Sequence, residues 1–190
     1  MSATVSPLLL ALREGTRACH QRLEARLPFF SEGFDRAAYA DLLGAYHGFH
    51  APLDLLLGAY QSAERHKTPI LSRDLDALAI DIEALPRCHA LPRIDDEASA
   101  LGVMYVLEGS TLGGQVLKRA MAERLGIDAD NGGAFLDVYG PLTGARWRSF
   151  LERLAAAPPE PTAQARTVEA AVDTFTCFEQ WLEERQVLAC

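Results

Sequence analysis

The sequence has no long apolar run, no closely paired cysteines and no excess of basic residues, and each absence excludes a class of protein. No stretch reaches the roughly 20 apolar residues that a membrane-spanning helix needs. The four cysteines are scattered without a C-x-x-C pair, which predicts free thiols rather than a disulfide framework or a zinc site. A formal net charge of −8 argues against a nucleic-acid partner, because phosphate backbones bind basic surfaces. The first residues lack the pattern of a secretory signal, so we expect a cytoplasmic protein with no membrane partner.

Common enzyme signatures are also missing. The sequence has no P-loop, no dinucleotide-binding glycine fingerprint after a strand and no G-x-S-x-G elbow. No segment alternates apolar and polar residues with the period of a β-strand, and apolar residues recur instead at steps of three and four. At 190 residues the chain fits one domain. We therefore predict a single all-α domain over residues 1–190, a bundle of about six to eight helices.

Capping residues predict where the first helices begin. Ser6 followed by Pro7 starts a helix that runs to Arg26 or Leu27. Asp35 starts a second helix, which Pro52 should kink or break because proline lacks the N–H donor. Ser72 starts a third helix with Leu75, Leu78, Ile82 and Leu85 on its apolar face.

The later helices are predicted in the same way. Asp95 or Asp96 opens a long helix that Gly126 ends, Thr143 caps the next, and Thr162 caps the last. On the last helix, the apolar pattern places Glu179, Glu183 and Glu184 outward.

The long helix beginning near Asp96 carries four glycines in its interior. Each costs about 1 kcal/mol relative to alanine, so something must offset the loss. Gly102, Gly109 and Gly113 are spaced by seven and four residues and so lie near one face, and Gly114 follows directly. A bare backbone on one face indicates a close neighbour, which is either another helix or a flat ligand.

His20 is the strongest candidate ligand in the chain, and steps of three and four place it on the apolar stripe of the first helix. Glu24 lies one helical turn further on, where a carboxylate can accept the imidazole Nδ1 proton and leave Nε2 free for a metal. Arg13 lies seven residues earlier, about 10 Å along the axis, with Arg17 between them. This outline fits a haem, with iron at one end and propionates at the other. A satisfied core histidine is the alternative, and Cys19 is an alternative iron ligand.

Two other histidines are weaker candidates. His47 and His50 are spaced by three residues and could share a metal, but the aromatic residues around them and the lack of a nearby acidic ligand favour ordinary, partly buried histidines. A di-iron site would need paired Glu-x-x-His motifs, which the sequence does not have.

Two segments resemble one known family. Leu12–Glu24 (LREGTRACHQRLE) resembles the proximal helix of haem oxygenases, and Tyr105–Leu117 (YVLEGSTLGGQVL) resembles their glycine-rich distal helix. The resemblance covers essentially the whole chain and is closest to the bacterial type. It implies a multi-helix bundle in which haem is sandwiched between a proximal and a distal helix.

The resemblance also implies roles for individual residues. His20 is the expected proximal ligand to iron, Glu24 is its hydrogen-bond partner, and Gly109, Ser110, Gly113 and Gly114 form the expected distal catalytic wall. Further haem-binding residues are implied at Arg13, Arg17, Tyr105, Arg146 and Arg148. Ser110 stands where animal-type members have an aspartate, so its part in anchoring a distal water differs from theirs.

The implied activity is the oxidative opening of haem b to biliverdin, carbon monoxide and ferrous iron. Haem b serves as both substrate and prosthetic group. Electrons would come from a ferredoxin or an NAD(P)H-dependent reductase, and a bilin-accepting protein such as a bacterial phytochrome could take the product. A haem carrier or sensor of the same fold is the alternative. A thiamin-degrading helical enzyme is a third, but it needs a pocket nucleophile with paired acids, and Cys88 and Cys177 lack that context.

Overall fold

A computed structural model describes residues 6–189, and this part of the chain consists of helices, turns and loops without a strand. The all-α fold class is therefore confirmed. None of the described helices is long and apolar enough to cross a membrane. The α-helices are α1 Pro7–Arg26, α2 Arg36–Leu56, α3 Thr68–Ala77, α4 Glu97–Ser110, α5 Gly114–Leu125, α6 Thr143–Ala155 and α7 Pro161–Glu184.

Several helix ends follow from local sequence as predicted. The Ser6 side chain accepts a hydrogen bond from the Leu9 N–H at 3.2 Å, with proline in the first turn of α1. Asp96 and Ser99 form a capping box at the start of α4. The Asp96 carboxylate accepts the Ser99 N–H, and the Ser99 hydroxyl oxygen accepts the Asp96 N–H. Gly126 ends α5 in the left-handed conformation at φ 63°.

Pro52 does not break α2, contrary to the prediction. The helix is continuous from Arg36 to Leu56 with Pro52 inside it. A proline leaves the carbonyl four residues earlier without its helical donor. That carbonyl, on Gly48, instead accepts a hydrogen bond from the Cys88 N–H at 2.9 Å. The loop after α3 therefore satisfies the carbonyl that the proline leaves open.

Other predicted helix starts were wrong by between one residue and about one turn. Pro69 lies in the first turn of α3, so the helix begins before Ser72, which lies inside it. Thr143 is the first residue of α6 rather than its cap, and its hydroxyl donates to the Gly140 carbonyl. The last helix begins at Pro161, one residue before Thr162. Proline suits the first turn because the N–H that it lacks has no helical acceptor there.

Helix α7 is the element on which the two helices of interest rest. Both α1 and α4 pack against α7, and α6 contacts α1 and α4. Gly102 permits the close approach of α4 to α7, because a side-chain carbon there would lie 2.1 Å from the Thr167 carbonyl oxygen. At this position the glycine pattern marks a helix contact, the first of the two neighbours considered above.

Candidate functional site

His20 lies on the outer face of α1. The apolar stripe of α1 passes through Thr16, Cys19 and Leu23, which are buried, while the His20 side chain is 60% exposed. The prediction that His20 lies on the buried stripe was therefore wrong by one residue. The ring stands edge-on to Phe175 of α7, with ring centroids 5.7 Å apart. His20 thus points out of the core at the junction of α1 and α7.

Glu24 lies beside His20 but does not hydrogen-bond to it. The His20 Nδ1 and Glu24 Oε2 atoms are 3.9 Å apart, which is beyond hydrogen-bond distance, and both side chains are exposed. Water competes for both groups at such a position, so a direct bond brings little free energy. The predicted hydrogen bond is absent in this structure, although the two groups keep the spacing of one helical turn.

Two arginines accompany His20 on α1. Arg13 and Arg17 are exposed. Within residues 6–189 neither forms an ion pair with a carboxylate. Arg22 and Arg26 behave differently, because both bind Glu179 of α7. The α1 surface therefore offers two cations near the candidate ligand and uses the next two to hold the helix in place.

The link between α1 and α7 corrects the predicted position of Glu179. This carboxylate is buried, and it accepts hydrogen bonds at 2.7 Å from Arg22 Nε and from Arg26 Nη1. The bond from Arg22, reinforced by Arg26, lowers the pKa of Glu179 although burial opposes this. Glu179 follows Phe175 by four residues and so lies on the apolar stripe. This four-residue spacing from Phe175 could have predicted the inward position of Glu179 from the sequence.

The long glycine-bearing helix is two helices joined by a short 3₁₀ turn. Helix α4 ends at Ser110, the turn covers Thr111–Gly113, and α5 begins at Gly114. We call the turn Thr111–Gly113 the distal turn. Its backbone follows the i→i+3 hydrogen-bond pattern of a 3₁₀ turn, with the Gly114 N–H donating to the Thr111 carbonyl.

One face of this region is apolar and uncovered. A side-chain carbon at Gly113 would meet nothing within 4 Å, and one at Gly109 would meet only the edge of the Trp147 ring at 3.9 Å. Leu112 and Val116 are 49% and 67% exposed. These four positions follow steps of three and four and therefore share a side, which we call the distal face.

Gly114 has a different reason for being glycine. A side-chain carbon there would lie 1.8 Å from the Leu136 carbonyl oxygen, so the backbone of α5 packs directly against residues 134–137. A side chain at position 114 would therefore clash with this segment rather than enter open space. Ser110 is exposed, and its hydroxyl donates to the Leu107 carbonyl at 2.8 Å.

Helix α6 supplies an aromatic border next to the distal face. The Trp147 ring lies 6.1 Å from the Tyr105 ring and stacks on Phe150 at 5.7 Å, measured between centroids. Arg146 forms an ion pair with Glu64 at 2.5 Å, so its guanidinium is already engaged. Arg148 is exposed on the same helix. Of the two predicted basic residues of α6, only Arg148 is available to a ligand without breaking an ion pair.

A polar cluster around the buried Glu108, next to the distal turn, was not predicted from the sequence. Glu108, 1% exposed, binds Arg65 and Lys67, and the Tyr139 hydroxyl donates to its Oε1 at 2.7 Å. We call these four residues the Glu108 cluster. The available signal was an acidic residue on the apolar face of a buried helix, four residues after Met104. A charge at such a position requires partners.

Burial makes the alternative metal ligands Cys19, His47 and His50 inaccessible to haem iron. Cys19 is buried, its thiol donates to the Thr16 carbonyl at 3.1 Å, and burial raises its pKa. His47 and His50 are fully buried rather than partly buried, and burial lowers the pKa of each to about 4. His47 contacts Ser72 and Arg87 rather than a metal ligand. Among the described residues no three His, Cys, Asp or Glu side chains cluster as a metal site.

Comparison with known proteins finds relatives that match most of the chain. A heme oxygenase of Xanthomonas campestris pv. campestris (strain 8004) is 30% identical over 158 residues, covering 78% of this chain and 90% of that protein. The structure of NO- and CO-bound heme oxygenase from Neisseria meningitidis matches with a TM-score of 0.72 and 25% identity, covering 96% of this chain and 94% of that chain. Heme oxygenase-1 from the cyanobacterium Synechocystis, solved in complex with heme, has the same fold, with a TM-score of 0.76 and 18% identity over 93% of this chain and 91% of that chain.

The fold is therefore that of the all-helical heme oxygenases, with bacterial proteins as structural neighbours. The family model described as heme oxygenase matches residues 6–184. The chain belongs to the heme oxygenase family.

Proposed function

We propose that this chain degrades haem b with O2 and electrons, giving biliverdin, carbon monoxide and ferrous iron. One observation carries the proposal. The His20 ring stands clear of the core on α1, while Gly113 leaves open space on the distal turn, and α1 and α4 share α7 as their base. An exposed histidine and a bare backbone, on segments connected through α7, suit the two faces of a flat, iron-containing ligand.

The side chains present fit haem in polarity as well as in shape. Haem has two apolar faces and two carboxylates at one edge. Leu112 and Val116 are exposed apolar side chains on the distal face, where such a macrocycle would cover them. Arg13 and Arg17 supply exposed cations on α1 for the carboxylates, and Arg148 supplies another on α6. The Synechocystis relative was solved with heme, which supports the same ligand here.

His20 is the proposed proximal ligand through Nε2. A neutral imidazole is needed for this, and Glu24 is positioned to accept the proton on Nδ1 once a modest side-chain rotation closes the gap of 3.9 Å. Arg22 and Arg26, which bind Glu179, hold α1 against α7 and thereby fix the position of His20 relative to α7. A histidine ligand donates less electron density than a thiolate and does not drive early O–O cleavage.

The distal turn is proposed to confine the other face. Haem, when bound, supplies the redox iron and is itself the molecule that is opened. The glycine backbone at positions 109 and 113 permits a closer approach than any side chain would. The Ser110 hydroxyl, at the end of α4, keeps lone pairs available to hold an ordered water, the proposed proton source. Tyr105 and Trp147 border the edge of this region.

Partners follow from the proposed chemistry. The proposed reaction consumes electrons, and as their donor we propose a ferredoxin or an NAD(P)H-dependent reductase. The product of that reaction is a linear tetrapyrrole, and we propose a bilin-binding protein such as a bacterial phytochrome as its acceptor. A haem carrier of the same fold would need His20 and the arginines but not the open space at Gly113.

The deciding experiment is the absorption spectrum of purified protein mixed with hemin, followed by ferredoxin, its reductase and NADPH in air. We expect a Soret band that decays while the broad red absorption of biliverdin rises, and carbon monoxide trapped by reduced myoglobin. A stable Soret band under the same electron supply, with electron transfer verified on a second acceptor, would identify a carrier or sensor instead.

A further inference from the structure

The Glu108 cluster holds a carboxylate that is buried directly before the distal turn, whereas the distal face is open. Lys67 Nζ donates to Glu108 Oε1 at 3.0 Å and also to the Tyr139 hydroxyl, while Arg65 Nη1 binds Glu108 Oε2. The Lys67 and Glu108 side chains are 2% and 1% exposed. Burial lowers the pKa of Lys67, and the Glu108 charge opposes this shift.

Such a cluster is not a natural source of stability. The desolvation of buried charges offsets most of their attraction, and well-packed apolar residues at the same positions are often equally stable. What a buried, fully bonded carboxylate does provide is a single permitted position, because any displacement breaks several hydrogen bonds at once. The cluster therefore defines where this point of the backbone lies.

The backbone at Glu108 is directly connected to the distal turn. The Glu108 carbonyl accepts the Thr111 N–H and, at 2.7 Å, the Thr111 hydroxyl. The far end of the turn is also held, because Gly114 packs on Leu136 and Lys118 of α5 binds Asp137 at 2.9 Å. The turn thus has fixed supports before and after it, and none of them lies on the distal face.

The cluster also connects three other parts of the chain to this point. Arg65 and Lys67 precede α3, and Tyr139 belongs to the loop before α6. Arg65 Nη2 further donates to the Arg146 carbonyl of α6 at 3.3 Å. One carboxylate on α4 therefore sets the position of the distal turn relative to α3 and to the aromatic border on α6.

We propose that Glu108 is a positioning residue for oxygen activation, which fixes the distance of Gly109 and the distal turn from the haem face through Arg65, Lys67 and Tyr139. This inference rests on the proposed function. It makes the choice of the opened meso carbon depend on residues that never touch haem, because the distal turn confines one face of the ring and limits which edge carbon the reaction can reach.

The test uses two variants of graded severity. Tyr139→Phe removes one donor to Glu108 and one acceptor of Lys67. Glu108→Gln keeps the shape but removes the charge that balances two cations. The control is Leu182→Ala, because Leu182 is fully buried in α7 two turns beyond Phe175 and its truncation lowers stability without touching the cluster. Each protein is loaded with hemin and compared in melting temperature, in the CO stretching band of the ferrous CO complex and in the ratio of biliverdin isomers.

We expect both cluster variants to shift or split the CO band and to change the isomer ratio severalfold, with Leu182→Ala lowering only the melting temperature. Wild-type CO bands and isomer ratios in a folded Tyr139→Phe protein and in Glu108→Gln would overturn the proposal. If Glu108→Gln fails to fold, Tyr139→Phe decides alone. A wild-type protein that binds hemin without opening it would refute the proposed function, while the CO band would still test the position of Glu108.

Discussion

Gly113 and Gly114 are neighbours in sequence, yet substitution by alanine should have opposite effects at the two positions. Gly113 has φ −83° and ψ −8°, which alanine adopts without strain, and its side-chain carbon would meet nothing within 4 Å. Replacement should therefore stabilise the protein without haem by about 0.4–1 kcal/mol, through the lower entropy of the unfolded chain. At Gly114 the same carbon would lie 1.8 Å from the Leu136 carbonyl oxygen. Overpacking of that kind costs about 1–3 kcal/mol or more.

The expected melting temperatures follow from these values. For a domain of this size 1 kcal/mol corresponds to about 2–4 °C, so Gly113→Ala should melt at the wild-type temperature or slightly above, and Gly114→Ala several degrees below. Biliverdin yield should show a different order. Gly113→Leu, which places a larger side chain in the space assigned to the haem face, should lose most turnover while remaining folded.

The assay is thermal unfolding followed by circular dichroism, with and without hemin, alongside biliverdin yield for the same preparations. Hemin should raise the melting temperature of Gly113→Leu less than that of the wild type, since ligand binding stabilises in proportion to affinity. Normal turnover in Gly113→Leu would refute the assignment of the distal face as the haem wall. A large loss of stability in Gly113→Ala would refute the open space itself.

Three further predictions concern other residues. His20→Ala should keep its melting temperature without hemin and lose turnover, with added imidazole restoring it; full activity without imidazole would exclude His20 as the ligand. Arg13→Glu should weaken hemin binding in titrations or change the biliverdin isomer ratio, and a variant unchanged in both would remove Arg13 from the site. The lowered pKa of His50, about 4 against 6.5 in the unfolded chain, means that the unfolded state binds more protons between these values, so stability should fall as pH drops from 6.5 to 4. His50→Phe should remove on the order of 2–3 kcal/mol of that fall, read from urea midpoints, and an unaltered pH dependence would show that His50 is not responsible.

The fold class could be predicted because it depends on local signals. The start of α1 at Ser6, the capping role of Asp96 and the end of α5 at Gly126 each depend on a few neighbouring atoms. Pro52 could not be judged in that way. Whether a proline breaks a helix depends on whether another group reaches the open carbonyl, and here that group is Cys88, distant in sequence.

The sequence indicated which residues to consider for the site but not what surrounds them. The positions of His20 and the glycines stand out in sequence, but a glycine does not reveal what lies against it. Gly102 and Gly114 face packed backbone, whereas Gly113 faces open space, and only the tertiary arrangement separates them. The burial of Glu108 could not be predicted in the same way, because it depends on Arg65, Lys67 and Tyr139, which are distant in sequence.

The shared support of α1 and α4 on α7 has a consequence for how this protein tolerates change. The separation between α1 and α4 is set across a single helix, through contacts such as Gly15 with Val168 and Gly102 with Thr167. Larger side chains at these positions of α7 would therefore displace α1 and α4, the two helices that carry the proposed iron ligand and the start of the distal face. We therefore expect the inward positions of α7 to accept the fewest substitutions of any helix, although α7 supplies neither the proposed iron ligand nor the distal glycines.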